Sequence, residues 1–259
     1  MQQRPLILVT NDDGMFAPGI KALVSVASEL GEVVVVAPDS PQSGKGHAVT
    51  LTEPIRHNQV DVFSDIPAYE CSGTPVDCVK LAKHVILPNR QIDLCVSGIN
   101  HGSNASVNIL YSGTMSAAME ASLEGIQSIG FSLLDFSYDA DFTAAKVYAS
   151  AIIRQALNGG MGVCSLLNVN IPAVPQSQIK GMRVCRQAKG RWVEEFMEGQ
   201  DPRGEKYYWL KGEFVVQDSG TDHDIWALEN GYVSIVPSNH DLTHYEAFAS
   251  LEALNSPAL

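Results

Sequence analysis

Long apolar runs and targeting segments are missing from this sequence. The 259 residues include no stretch of about 18 uninterrupted apolar side chains, so no membrane-spanning helix is predicted. Residues 1–5 lead directly into strand-like sequence, without the longer apolar segment and small-residue cleavage site of a signal peptide. We therefore expect a cytoplasmic protein that does not associate with membranes.

Cysteines and basic residues are also scarce. The five cysteines are widely spaced and none belongs to a Cys-x-x-Cys pair, which predicts reduced, mostly buried thiols and argues against a zinc knuckle. The 17 basic residues stand against 29 acidic ones, a formal charge of −12. Such a surface repels polyanions, so long nucleic acids are not expected partners. A small phosphorylated substrate is compatible with it, because a bound metal ion can invert the field within one cleft.

Strand-like and helix-like patterns alternate along the first two thirds of the chain. Buried strands are predicted at residues 7–10, 33–37, 92–97, 126–134 and 163–171. Helices are predicted at residues 18–30, 75–87, 143–157 and in a small-residue segment that follows residue 112. This alternation predicts an α/β fold with a Rossmann-like, doubly wound, mostly parallel sheet.

The pattern changes after about residue 179. β-type runs rich in aromatic residues flank the turn at residues 201–204, which predicts an extended β-hairpin. Aromatic residues on a protruding hairpin favour a contact between subunits over an isolated flap. A terminal helix is predicted at about residues 241–254.

Two adjacent carboxylates end the first predicted strand. Asp12 and Asp13 follow an apolar run and precede Gly14, at the strand end where parallel sheets bind ligands. Neighbouring carboxylates repel one another, and a divalent cation with oxygen ligands would compensate them. A polar turn without a metal ion explains the same residues equally well.

Three further loops belong to the same predicted edge. They contribute Ser43 with its neighbours Gly44 and Lys45, the segment from Asn100 to Asn104, and Ser112, Gly113 and Thr114 at the start of a helix. Each could also be an ordinary connection or cap. Together, their oxygen ligands predict a hard cation such as Mg²⁺ or Mn²⁺, and the helix N-terminus predicts a phosphate site. This combination indicates metal-assisted hydrolysis of a phosphoester.

Ordered sequence blocks extend over nearly the whole chain. They read NDDG (11–14), APG (17–19), SG (43–44), GTP (73–75), DCV (77–79), SGIN (97–100), YSGT (111–114), QDPRG (200–204), GTD (220–222), GYVS (231–234) and DLT (241–243). With these blocks the chain resembles the SurE family of stationary-phase survival proteins.

The resemblance implies a metal-dependent nucleotidase that releases phosphate from nucleoside 5′-monophosphates, and in some members from 3′-monophosphates or short polyphosphate. The family's metal ligands match Asp12, Asp13, Ser43 and Asn100, which implies one Mg²⁺ or Mn²⁺ per subunit. Asp12 and Asp13 would also orient the attacking water.

We assign phosphate binding to four residues near this metal site, Asn104, Ser112, Gly113 and Thr114. The family fold implies one domain, residues 1–259, with a Rossmann-like core at 1–178. The hairpin and C-terminal segment at 179–259 would then assemble a homodimer or homotetramer.

One block departs from the family pattern. Family members can carry Asp-Leu-Thr-Ala-His near the C-terminus, where this chain has Tyr245 in the fifth position and His244 one residue early. On a helix that displacement turns a side chain by about 100°. A role in proton transfer therefore stays open for both residues. His101, inside the Asn100 loop, is another histidine that could reach a phosphate.

Two other functions compete with the nucleotidase. A phosphatase that forms an aspartyl phosphate would want Asp-x-Asp after its first strand and a lysine from a later loop, whereas the carboxylates here are adjacent. A nonenzymatic nucleotide-binding module would bind its ligand without turnover, but it gives the aspartate pair no obvious purpose.

Overall fold

A computed structural model describes residues 4–255 of the chain. The strands are β1 (Leu6–Thr10), β2 (Glu32–Pro38), β3 (His57–Val60), β4 (Ala68–Cys71), β5 (Leu94–His101), β6 (Ser128–Leu133), β7 (Leu166–Ile171), β8 (Met182–Val184), β9 (Gly190–Gln200), β10 (Lys206–Val216) and β11 (Val233–Ser238). The α-helices are α1 (Pro18–Leu30), α2 (Pro75–Leu81), α3 (Gly113–Leu123), α4 (Thr143–Leu157) and α5 (Asp224–Glu229).

Nine of these strands form one sheet, in the order β3-β4-β2-β1-β5-β6-β7-β11-β8. The six strands from β4 to β7 in that order run parallel to one another. β3 is antiparallel to β4 at one edge, and β11 is antiparallel to β7 near the other. The loops that follow β1, β2 and β5 therefore meet at one edge of the sheet, which is what positions the site.

Helices cover both faces of the sheet. On β1, Ile7 and Val9 belong to the core beneath α1 and α4, whereas Leu6 and Leu8 belong to the core beneath α2 and α3. This alternation follows from the twofold period of a strand. The predicted doubly wound α/β fold is confirmed.

The extended hairpin is confirmed as a separate two-stranded sheet. β9 and β10 pair antiparallel in continuous register, from Lys206 opposite Gln200 to Val216 opposite Gly190. Large apolar side chains along it are exposed, among them Phe196, Trp209 and Leu210.

Two predicted helices differ from the structure. The helix expected at residues 75–87 is an α-helix to Leu81 and then a π-helix, Ala82–Ile86, whose wider turn leaves Val85 exposed. The terminal helix expected at 241–254 is wrong as well, because the segment forms two short 3₁₀ helices, Tyr245–Ala247 and Ala249–Leu254. Nearly all of this segment is exposed, so it has no apolar face packed on a core to support a longer helix.

The sequence predicts no membrane-spanning helix, and it predicts reduced, mostly buried thiols. No helix among residues 4–255 is long and apolar enough to cross a bilayer. All five cysteines are free thiols, four of them buried and Cys164 half-buried.

Helix α1 packs unusually close to β5. A Cβ atom built on Gly19 would lie 1.9 Å from the carbonyl oxygen of Ile99, a distance that no side chain tolerates. Ile99 directly precedes Asn100, so the absence of a side chain at Gly19 also determines where that part of the predicted site lies.

We predict that Gly19→Ala destabilises the protein by about 3 kcal/mol, because the added methyl group must push α1 away from β5. Urea unfolding would measure the loss. Ser25→Ala, on the exposed face of the same helix, is the matched control and should change stability by less than about 0.5 kcal/mol. Equal stability of the two variants would contradict the close contact.

Candidate metal and phosphate site

The loop after β1 is a tight polar turn that presents Asp12 and Asp13. The Asn11 amide donates to the Gly14 carbonyl at 3.0 Å, and the Gly14 N–H donates to the Asn11 side-chain oxygen at 3.2 Å. Gly14 adopts a positive φ of 98°, which the turn requires and which disfavours other residues. The two carboxylates are thereby fixed at the end of the strand.

Asp12 lies against the N-terminus of α3. Its carboxylate accepts a hydrogen bond from the Thr114 hydroxyl, and only 3 % of the residue is exposed. A Cβ atom on Gly113 would come within 2.6 Å of the Asp12 Cβ, so only glycine allows this approach. The positive end of the helix therefore faces a buried carboxylate.

Both carboxyl groups resist ionisation. Burial, and secondarily repulsion by Asp13, raises the pKa of Asp12 to about 6, although the Thr114 hydroxyl acts in the opposite direction. Burial likewise raises the pKa of Asp13, against a 3.3 Å hydrogen bond from the His101 backbone N–H. The protein alone leaves this pair of negative charges only partly compensated.

Asn100 lies at the end of β5 with its amide orientation fixed. The Asn100 Nδ2 group donates to the backbone carbonyls of Gly102, at 2.9 Å, and His101, at 3.3 Å. Only an amide nitrogen can serve two carbonyl groups in this way, so the Oδ1 atom is the end of the side chain left to bind a cation.

Ser43 reaches the site from the loop after β2. The Gln42 N–H donates to the Asp12 carbonyl at 2.7 Å, which ties this loop to the first one. Ser43 itself is exposed. Asp12, Ser43 and Asn100 line one cleft of about 950 Å³.

Asn104 and Ser112 line the same cleft. The Asn104 amide donates to the Ser132 hydroxyl at 2.9 Å, and its backbone N–H donates to the Asn170 side chain at 2.8 Å. Ser112 caps α3 by accepting from the Met115 N–H at 3.0 Å. Asn104 is thus held from behind by neighbouring strands.

The structure brings together most of the predicted site residues but gives Thr114 a different partner. Its hydroxyl is engaged by Asp12 and its side chain is fully buried, so its predicted contact with phosphate stays a prediction. Asp13 opens on a second, smaller cleft of about 430 Å³ that shares His101 and Phe136 with the first.

Among the residues that the structure describes, no lysine or arginine lines either cleft. Within residues 4–255, no group of three or more His, Cys, Asp or Glu side chains is placed to hold a metal ion. A cation here would rest on two carboxylates and neutral oxygen donors. That donor set fits a hard cation such as Mg²⁺. The positive charge of the cation would compensate the buried negative charge of Asp12 and Asp13.

The sequence patterns do not predict that residues of the hairpin form the far wall of the cleft. Trp192 on β9 donates from Nε1 to the Asn108 side chain at 2.8 Å and packs edge-on against Phe214, with ring centroids 5.7 Å apart. Both rings line the cleft that contains Asp12. Their direct cross-strand pairing could have indicated a shared face of the hairpin, but nothing in the sequence shows which face turns toward the site.

Residues 241–245 do not take part in either cleft in the described part of the chain. The Tyr245 hydroxyl donates to the Asp241 carboxylate instead. The role of His244 and Tyr245 in proton transfer therefore stays open.

A doubly wound α/β sheet that presents carboxylates, amide oxygens and a helix N-terminus at one edge defines a class of proteins that handle phosphate with a bound cation. The model of the family described as Survival protein SurE matches residues 7–194. The chain therefore belongs to the SurE family.

Relatives and a solved structure agree along the full length. The chain is 56 % identical over 248 residues to 5′-nucleotidase SurE of Cytophaga hutchinsonii, with 96 % of both chains covered. It is 54 % identical over 250 residues to the protein of the same name from Flavobacterium johnsoniae, again with 96 % of both covered. The SurE protein from Aquifex aeolicus superposes with a TM-score of 0.84 at 41 % identity, covering 97 % of this chain and all of that one.

We predict that Asp12→Asn stabilises the metal-free protein by roughly 3 kcal/mol at pH 8. A carboxyl whose pKa is raised from 3.8 to about 6 by folding binds its proton more tightly in the native state. Its ionisation therefore costs stability that is absent below pH 3.8 and complete above about pH 6. The gain should fall to about 1 kcal/mol at pH 4.5.

Urea unfolding in EDTA at both pH values would measure this gain. Asp65→Asn, which removes an exposed carboxylate far along the chain, is the control and should leave stability nearly unchanged. A variant less stable than the wild type at pH 8, or a gain that increases toward acid, would show that Asp12 is not an uncompensated buried charge.

Proposed function

We propose that this chain is a metal-dependent nucleotidase that hydrolyses nucleoside 5′-monophosphates to a nucleoside and phosphate. The observation that carries the proposal is the pair Asp12 and Asp13, withdrawn from water with no lysine or arginine among the described residues that line the two adjoining clefts. Full-length relatives named 5′-nucleotidase confirm the prediction of a nucleotidase made from the resemblance.

Asp12, Asp13, Ser43 and Asn100 would hold one Mg²⁺ or Mn²⁺ per subunit. When bound, the cation would polarise the phosphoryl oxygens and lower the cost of bringing a nucleophilic water to the phosphorus. Asp13 is the more exposed of the two carboxylates and is the one we assign to orienting that water. Asp12, buried against α3, serves to fix the geometry.

The phosphate group would lie at the N-terminus of α3. Its first turn directs the positive end of the helix dipole toward the cleft beside Asp12. The Ser112 hydroxyl and the Asn104 amide, both on the wall of the same cleft, would orient the phosphoryl oxygens. Thr114 would act on the phosphate only through Asp12, whose carboxylate it holds.

The remainder of the large cleft suits an uncharged nucleoside. Trp192 and Phe214 offer apolar ring surface to a base or ribose. Glu194 and Glu229 line the same cleft, and no lysine or arginine lies among its described lining residues. Further phosphate groups would be repelled by these carboxylates, so the lining favours monophosphates over polyphosphate chains.

We further propose that the hairpin and the C-terminal segment, residues 179–259, join subunits into a homodimer or homotetramer. The exposed apolar side chains on β9 and β10 support this, since a large apolar surface is rarely left in water. The five free thiols support a reducing compartment, which we take to be the cytoplasm.

We predict that the protein releases phosphate from nucleoside 5′-monophosphates with Mg²⁺ or Mn²⁺ and that EDTA abolishes the activity. Asp13→Asn should lower kcat by about 10³-fold or more, because it removes a carboxylate that both binds the cation and orients water. Phosphate release from a panel of 5′- and 3′-monophosphates would measure both effects and rank the substrates.

Asp65→Asn, with an exposed carboxylate outside both clefts, is the matched control and should retain full activity. Activity that survives both chelation and Asp13→Asn would contradict the metal mechanism. A phosphoaspartate trapped with a fluoride analogue would favour the aspartyl-phosphate alternative. Nucleotide binding without turnover on any substrate would favour the nonenzymatic module.

A further inference from the structure

The Ser43 loop is poorly supported at its tip. Ser43, Gly44 and Lys45 are exposed, and a Cβ atom on Gly44 would find no other atom within 4 Å. On the N-terminal side the loop is fixed by the hydrogen bond from Gln42 to the Asp12 carbonyl. A neutral hydroxyl is a weak ligand for a divalent cation, so its contribution depends on how well the loop is held in place.

On the C-terminal side the loop is fixed to α3 by a buried carboxylate. The His47 Nε2 atom lies 2.8 Å from Oε2 of Glu120, a residue that is only 4 % exposed. Glu120 lies on the helix whose first turn contacts Asp12. The His47–Glu120 contact therefore attaches the loop that carries Ser43 to α3, the same helix that positions Asp12.

A second pair of contacts fixes the next residues to α2. The Thr74 hydroxyl donates to the Ala48 carbonyl at 2.7 Å, and the Thr50 hydroxyl donates to the Asp77 carboxylate at 2.6 Å. Thr74 and Asp77 also form the capping box of α2, so this anchor is part of the helix end itself. The chain is thus fixed on both sides of the exposed residues 43–45.

Helix packing alone does not account for Glu120. Its other oxygen, Oε1, pairs with Lys80 on α2, and this pair would suffice to link the two helices. Lys83, on the π-helix after α2, already forms a similar ion pair with Glu124 at the C-terminal end of α3, at 2.8 Å. Burying a carboxylate is costly unless every oxygen is satisfied, and His47 from the loop supplies the second partner.

We propose that His47 and Glu120 are positioning residues that hold the Ser43 loop in the arrangement that binds the cation. This inference rests on the proposed function, since it takes Ser43 as a ligand. It predicts that breaking the contact weakens metal binding and leaves the fold intact, because Glu120 keeps its ion pair with Lys80 and residues 43–45 are exposed.

The test is the dissociation constant for Mn²⁺ alone, measured by electron paramagnetic resonance at pH 7.5. His47→Ala should raise it by roughly tenfold. His47→Gln, which keeps a side-chain donor for Glu120, should restore it to within about twofold of the wild type. Lys83→Met breaks the neighbouring ion pair with Glu124 without touching the loop, and it should also leave the constant within about twofold.

Nucleotide hydrolysis separates positioning from a merely structural role. In His47→Ala the Mn²⁺ concentration for half-maximal rate should rise roughly tenfold, while kcat at saturating Mn²⁺ returns to within about threefold of the wild type. The melting temperature of His47→Ala should equal that of Lys83→Met.

Equal Mn²⁺ affinity of His47→Ala and the wild type would overturn the inference, as would equal losses in His47→Ala and Lys83→Met. A wild type that binds Mn²⁺ but hydrolyses no nucleotide would contradict the proposed function, while the affinities still decide the role of His47. A wild type that binds no Mn²⁺ would overturn both.

Discussion

The burial of the Asp12 carboxylate against the first turn of α3 is the constraint on which the site depends. It requires glycine at position 113, a donor at position 114 and a tight Asn11–Gly14 turn after β1. Even so, the pKa of Asp12 stays near 6, so the arrangement is electrostatically incomplete. A buried carboxylate that is only partly compensated costs stability, and the proposed cation would remove that cost, which would link stability to function.

The parts of the fold that were predicted from sequence carry strong local signals. Helix α1 begins at Pro18 and ends before Gly31 as predicted, because proline at the first turn and glycine after the last are direct consequences of backbone chemistry. The loops that carry the proposed metal ligands were expected at one edge of the sheet because parallel strands end at the same edge, and the structure brings those loops together. The prediction failed where local signals were weak: the exposed C-terminal segment has helical residues but no core to pack against, and the π-helical turn after Leu81 leaves no mark in the spacing of apolar residues.

Other features depend on contacts between residues far apart in the chain. Asp224 is fully buried and accepts hydrogen bonds from the backbone N–H groups of Ser106, at 2.7 Å, and Ala188, at 2.9 Å. It therefore joins the loop before α3 to the base of the hairpin and directs Trp192 over the cleft. Sequence spacing does not reveal such a partner, since 118 residues separate Asp224 from Ser106. These buried contacts, together with the hydrogen bond from Trp192 to Asn108, orient the hairpin and with it the far wall of the cleft.

Helix α3 combines several tasks that explain its composition. Its small residues, such as Ala117 and Ala121, allow close packing on the sheet, its first turn faces Asp12, and Glu120 holds the Ser43 loop. Two of the proposed metal ligands, Asp12 and Ser43, are thus positioned by α3. Small movements of this helix relative to the sheet would displace both ligands together and preserve the distance between them. A hard cation demands ligands at closely defined distances, and a common support meets that demand better than independent loops would. The same argument explains why the least supported ligand, Ser43, needs an anchor on this helix in particular.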